Sequence, residues 1–377
     1  MNNQGRPDTV DYWIEKETKM RIAVVGLIMM LTFTSPLPYA SAETAPRGQI
    51  YYWLWVKNME GYWQDFIDFA AEQKVDGVVI WGLKGFGTGG EDRFCRELVK
   101  YAHARDVKVI HGLGLNGYEI GEFIIGEDSN LGATILDKFV GTQREKNTRR
   151  AVFCPSKPKS LRLLKECLLR AADTGVDGFN FETADVDYLT CHCPDCEKRF
   201  DSASETETTN KPVGWPLEHL QFAADVLLES RSDLWLNCEF AMQRFGKPPY
   251  TDNERMLRLN REIDPRITVV WAEHDAPPKA IATLLRKERE NIGFYIRSGA
   301  IYGWNEKEQL SPVSLLPIAR DLIPLDPVCV FYRSYRPTKY WSVNMGAAAK
   351  VLKNPGLTED EVYTLVKEWQ PVAKKRR

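Results

Sequence analysis

Hydrophobic and polar positions along the chain follow two alternating rhythms. Short β-branched and aromatic runs, four to seven residues long, recur between longer stretches whose apolar residues are spaced three and four apart. The first run is 50–56, and helical spacing follows over 62–73. The second is 77–81, followed by a helix over 92–105 with Phe94, Leu98, Val99 and Ala102 on one stripe. A third strand, 107–111, precedes a long return over 112–155 that is rich in glycine and holds a short apolar piece around 135–140. The helix 160–172 carries Leu161, Leu164, Leu168 and Ala171 on one face and leads into a fourth strand, 178–182. Four more strands are expected at 234–239, 267–271, 293–297 and 328–331. Each is preceded by a helix, at 217–230, 253–263, 280–290 and 312–322, and 359–369 supplies the closing helix. Eight strands alternating with helices predict an α/β fold of the (β/α)8 TIM-barrel class. A doubly wound open sheet is the competing architecture, but Val56-Lys-Asn-Met59 after the first strand is no phosphate loop. The glycine-rich stretch 85–90 lacks both the Lys-Ser/Thr of a P-loop and the spacing of a dinucleotide fingerprint, and reads as a rim loop.

One early segment departs from this rhythm. Met20-Arg21 opens an apolar run that ends at Phe33, and Ala40-Ser-Ala42 follows. A basic start, a short apolar run and small residues at a cleavage position predict a secretory signal peptide, with translation starting at Met20 as one option. Residues 1–42 are therefore expected to be leader and signal, and 43–377 a single barrel domain. The protein would be exported, periplasmic or extracellular, with no stable membrane span after cleavage. Of its 377 residues 44% are hydrophobic, enough for one large core. The formal net charge of −2, with short charge runs of mixed sign, provides no basic field for nucleic acid.

The acids change the picture from fold to chemistry. In Phe179-Asn180-Phe181-Glu182 the side chains alternate, so Asn180 and Glu182 share one face at the carboxyl end of a strand, where barrels carry their active sites. Asn237-Cys238-Glu239 repeats the pattern on the fifth strand, and Trp271, Glu273 and Asp275 share a side at the end of the sixth. Asp185 lies just beyond Glu182. Two carboxylates across a cleft are what glycoside hydrolysis requires. Aromatic residues near strand ends, Trp53, Trp55, Trp81, Tyr118, Trp271, Trp304 and Trp341, are candidates to stack on sugar rings or to pack the core. His111, Asn180 and Asn237 are candidate hydrogen-bonding groups for substrate. A non-catalytic carbohydrate-binding barrel is the first alternative. A metal-dependent hydrolase built on His111, His274 and Asp275 is the second, without a tight ligand spacing.

Cys191, Cys193 and Cys196 lie too close in sequence to pair comfortably with one another, and Cys154 is their natural remote partner. The four make either a structural zinc site, with His192 as a possible substitute ligand, or a disulfide with free thiols. Cofactors for catalysis are not expected. Cys95, Cys167, Cys238 and Cys329 sit on apolar runs and read as buried thiols.

Three stretches together, Cys154-Pro-Ser, Asp177-Gly-Phe-Asn-Phe-Glu182-Thr-Ala-Asp185 and Cys191-His-Cys-Pro-Asp-Cys196, carry a resemblance. The chain resembles exported bacterial glycoside-hydrolase-like (β/α)8 barrels, which are similar to the barrels of α-glucuronidases and β-N-acetylhexosaminidases. Ile80-Trp-Gly82 and Gly112-Leu-Gly-Leu-Asn-Gly-Tyr118 also fit. The resemblance implies a carbohydrate ligand and makes Glu182 the best candidate for the general acid, with Asp185 close by; no motif fixes the second carboxylate, for which Glu239, in the same Asn-x-Glu context as Glu182, and Glu273 are rivals. Phe181 stands where hexosaminidases of that type place an aspartate, which argues against substrate-assisted hydrolysis. Arg297 and Arg333, on later strand ends, could pair with a uronic acid carboxylate or with the acids themselves.

Overall fold

Eight parallel strands close on themselves in sequence order. They are β1 (Gln49–Trp55), β2 (Gly77–Trp81), β3 (Lys108–Gly114), β4 (Gly178–Glu182), β5 (Trp235–Ala241), β6 (Ile267–Ala272), β7 (Ile292–Ser298) and β8 (Cys329–Ser334). In chain order the α-helices are α1 (Trp63–Glu72), α2 (Gly89–His103), α3 (Tyr118–Glu127), α4 (Pro158–Ala172), α5 (Pro194–Arg199), α6 (Gly214–Ser230), α7 (Asn253–Glu262), α8 (Lys279–Glu288), α9 (Leu315–Leu322), α10 (Trp341–Lys353) and α11 (Glu359–Lys375). This computed structural model describes residues 47–56, 59, 61–83, 89–115, 117–135, 151–182, 191–199, 214–241, 253–272, 279–298, 312–334 and 341–375. All of them lie in one compact unit, Pro46–Arg377. No described helix is long and apolar enough to cross a membrane.

The barrel predicted from the rhythm is the fold observed. Alternation along the strands divides its apolar residues between two cores. Tyr51, Trp53, Val79, Trp81, Ile110, Val270, Tyr295 and Phe331 fill the inside. The residues between them, such as Tyr52, Ile80, Phe179, Phe181 and Phe294, pack outward under the helices.

A repeated tripeptide closes the amino-terminal end of the barrel. Val75-Asp76-Gly77 enters β2 and Val176-Asp177-Gly178 enters β4. Both valines are buried. The Ile50 N–H donates to Asp76 Oδ2 at 2.8 Å, and the Val109 N–H to Asp177 Oδ2 at 2.7 Å, so each carboxylate pins the preceding strand. Each glycine leaves room for the following strand: a Cβ on Gly77 would stand 2.6 Å from the Lys108 carbonyl oxygen, and one on Gly178 2.1 Å from that of Trp235.

Besides the six-residue α5, two helices do not show in the sequence pattern. The helix that follows β8 is α10, not 359–369. Its buried face of Met345, Ala347, Ala348, Ala349, Val351 and Leu352 is so rich in alanine that no 3.6-residue stripe shows. The stretch 359–369 does form helix, as part of α11, which packs on α10. The other is α3, concealed by Gly121 and Gly126, both poor helix formers. Gly121 is there for packing, since a Cβ would stand 1.6 Å from the Ala151 carbonyl oxygen, a backbone atom. Gly121→Ala is therefore expected to destabilise the protein by about 2 kcal/mol despite its gain in helix propensity. Urea denaturation of the two proteins checks the sign.

Candidate active site

Register brings the two glutamates together. Asn180 is the Cα partner of Asn237 and Glu182 that of Glu239, and in-register residues on neighbouring strands stand about 4.8 Å apart. Both pairs face into the barrel, because Asn180 meets the inner-core Trp81 and alternation carries Glu182 to the same side. Glu182 is half-buried, and Glu239 is buried at 5% exposure.

Beneath them runs a directional hydrogen-bond chain. Trp81 Nε1 donates to Asn180 Oδ1 at 2.9 Å, and Asn180 Nδ2 donates to Asn237 Oδ1 at 2.6 Å. Trp81 reaches across β3 only because Gly112 has no side chain: a Cβ there would stand 2.1 Å from indole Cδ1. Gly114, one inward position further along, is covered by Tyr118, whose Cδ2 would lie 2.2 Å from an added Cβ. The bare inner face of β3 is thus occupied by rings borrowed from elsewhere, right beside Glu182, the register partner of Gly114.

The opposite wall is aromatic and cationic. Trp53 stacks on Trp81 with centroids 5.9 Å apart, and Trp55 packs against both. The Arg333 guanidinium lies 3.9 Å over the Trp53 ring, and Arg333 Nη1 donates to the Tyr295 hydroxyl at 3.0 Å. Of these rings Trp53 and Trp81 are fully covered, whereas Trp55 and Tyr118 are half-buried at the rim. Tyr295 escaped the sequence reading. Its signal is the alternation Gly293-Tyr295-Arg297 on β7.

Several of the expected substrate contacts are buried. Trp81, Asn180 and Asn237 are all fully buried and hydrogen-bonded to one another, so they support the glutamates from below. His111 and Trp271 face away from the barrel interior. β3 continues to Gly114, so His111 lies inside the strand rather than at its end, stacked on Phe179 with centroids 5.8 Å apart. Trp271 packs on Phe240 and donates from Nε1 to Asn260 Oδ1 on α7 at 3.2 Å. His111 is thus set back from the barrel mouth. Glu273, His274, Asp275, Asp185 and Trp304 lie outside the described residues. Arg297 is the register partner of Arg333.

His111 has a consequence for acid stability. Its two ring nitrogens are buried without hydrogen-bond partners, and burial lowers its pKa to about 3. The unfolded chain takes up this proton near pH 6.5 and the folded protein only near 3. The contribution is complete above about pH 6.5 and is lost as pH falls, by about 1.4 kcal/mol per unit. His111→Leu is expected to reduce the stability lost between pH 7 and pH 5 by about 2 kcal/mol in urea titrations at the two pH values.

A second cluster lies outside the barrel interior. Cys154, Cys191, Cys193 and Cys196 bring their sulfurs within 4.8 Å of one another, the one such group of metal-binding side chains among the described residues. Cys154 Sγ lies 3.7 Å from Cys193 Sγ and 3.6 Å from Cys196 Sγ. All eight cysteines of the chain are unpaired thiols. A disulfide needs sulfurs about 2.05 Å apart, whereas a tetrahedral zinc with Zn–S bonds of about 2.3 Å has edges of about 3.8 Å. The Thr134 N–H donates to Cys191 Sγ at 3.3 Å, and Ser156 Oγ lies 3.1 Å from Cys196 Sγ. His192 turns toward Glu197, its Nδ1 3.5 Å from Oε1, and the quartet is complete without it. Cys95, Cys167, Cys238 and Cys329 are buried. Burial, then the charges of Glu239 and Glu182, push the Cys238 thiol well above its usual range.

No protein-family model matches the sequence, and no curated protein matches it. Solved structures share the fold. A β-galactosidase from the psychrophilic Marinomonas ef1 superposes with a TM-score of 0.55 at 10% identity, over 83% of this chain and 61% of that one. A mutant form of the O-GlcNAc hydrolase of Thermobaculum terrenum gives 0.54 at 12% identity, over 86% and 63%. The α-glucosyl transfer enzyme XgtA gives 0.51 at 12% identity, over 76% and 67%. The likeness is one of fold, the closed eight-stranded (β/α)8 barrel. The chain spans about three fifths of the length of the β-galactosidase and the O-GlcNAc hydrolase it resembles.

Proposed function

We propose that the protein is a glycoside hydrolase acting on a polysaccharide or glycan. The observation that carries this reading is the in-register pair Glu182 and Glu239 on the inner face of β4 and β5, held over a buried amide chain. Glu182, the more open of the two, donates its proton to the glycosidic oxygen as the bond to the anomeric carbon breaks. Glu239 attacks that carbon from below as a carboxylate. Water, deprotonated by Glu182, then releases the sugar and restores both groups. Trp55 and Tyr118 offer half-buried ring faces at the rim for the apolar side of a sugar.

Export through a signal peptide over 1–42 and zinc in the cysteine quartet belong to the same proposal. Four sulfur ligands leave no open position for water, so that metal is structural. Two of the solved structures of the same fold, named as an O-GlcNAc hydrolase and a β-galactosidase, fit a carbohydrate substrate. Incubating the folded protein with a panel of aryl glycosides and natural glycans tests the reading. Turnover of at least one glycoside is expected. Affinity for glycans without turnover of any would make this a carbohydrate-binding barrel instead.

A further inference from the structure

We infer that a metal held by Cys154, Cys191, Cys193 and Cys196 is the clamp that positions the unit delivering Glu182, rather than a general staple of the fold. The inference rests on Glu182 belonging to the site. Its basis is where the ligands stand in the chain. Three residues separate Cys154 from the start of α4, α4 leads to β4, and eight residues separate Glu182, the last residue of β4, from Cys191. The metal therefore ties the segment that enters this βα unit to the segment that leaves it, closing a ring through α4, β4 and Glu182.

The ring is set in two further ways. The Gly132 and Phe153 backbones form an isolated antiparallel bridge, and Cys154 N donates to the Leu131 carbonyl at 2.8 Å. On the other flank His192 N donates to the Thr134 carbonyl at 2.7 Å, and Thr134 N in turn donates to Cys191 Sγ. Both flanks thus hang on residues 131–134, and the cysteine sulfurs are the point where they meet. Ile135, Val152, Cys154, Cys191 and Cys196 form a small cluster of their own, apart from the two barrel cores. Losing the metal removes the centre of that cluster and leaves the barrel's apolar packing intact. A donor set of four cysteine sulfurs within 4.8 Å of one another selects a soft, four-coordinate ion, zinc or iron.

The test uses the full chain, purified under reducing conditions, in three steps. Metal analysis is expected to find one zinc or iron per chain. Cobalt(II) added to the stripped protein is expected to give the visible absorption of a tetrahedral thiolate complex at one equivalent. Amide hydrogen exchange is then compared between loaded and stripped protein, and for Cys154→Ser. Stripping is expected to speed exchange by roughly tenfold or more over 151–156, 178–182 and 191–199, leaving β7 and β8 unchanged, and added zinc restores it. No metal uptake, or disulfides among the four cysteines in the purified protein, would overturn the site. Exchange that rises equally in β7 and β8, or stays unchanged over 178–182, would overturn the clamp. Exchange needs no substrate, so a protein without glycosidase activity but with this local pattern would fail the proposed function and keep the clamp.

Discussion

Replacing either Glu182 or Glu239 by glutamine is expected to lower turnover of a glycoside by about 10²–10⁴-fold while leaving the fold intact. Glutamine keeps the shape and hydrogen-bonding reach of the side chain but can neither give up a proton nor carry the negative charge. Each step of the hydrolysis uses both groups, so the double variant is expected to be scarcely worse than either single one. Stability is expected to move the other way. In-register carboxylates on adjacent strands repel each other when both are charged, and removing one charge relieves that cost. An unchanged or higher urea midpoint with lost turnover identifies a functional pair. Lower stability with retained turnover would make the glutamates structural.

Asn180→Ala is expected to be the most damaging single change to the support beneath them. Asn180 is fully buried, accepts from Trp81 Nε1 and donates to Asn237 Oδ1. Its truncation strands both partners without water. At about 1–3 kcal/mol for each unsatisfied group, the loss is about 2–6 kcal/mol. That is comparable with much of the stability of an ordinary domain. Gly112→Ala attacks the same chain from the other side, because its methyl would occupy the space of the Trp81 indole. Both variants are read by urea denaturation at pH 7, and a cost below about 1 kcal/mol for Asn180→Ala would show that the chain is not what holds the floor together.

The carboxyl end of β4 shows how far the sequence could be read. Gly-Phe-Asn-Phe-Glu is a strand with one apolar and one polar face, and the identical Asn-x-Glu spacing on the fifth strand implied a matching partner. Strand register then sets the two side by side. His111 lies inside its strand for a definite reason. The run 107–111 ended, on the sequence, where glycine began, yet Gly112 and Gly114 continue the strand because neighbouring rings need their space. An aromatic on a strand likewise says nothing by itself about which side it faces. Trp81 and Trp271 end similar apolar runs, and one points into the barrel while the other lies under a helix. The cysteine quartet is legible as a group, but the close approach of its four sulfurs needs coordinates.

The most direct test of the central claim is the anomeric configuration of the first-formed product, followed by proton NMR, for a glycoside that the protein hydrolyses. Glutamates in register on adjacent strands favour the short carboxyl separation of about 5–5.5 Å rather than the roughly 6.5–9.5 Å that leaves room for a water. Retention of configuration is the expected result. Inversion, or no hydrolysis of any glycoside by the folded wild-type protein, would contradict it.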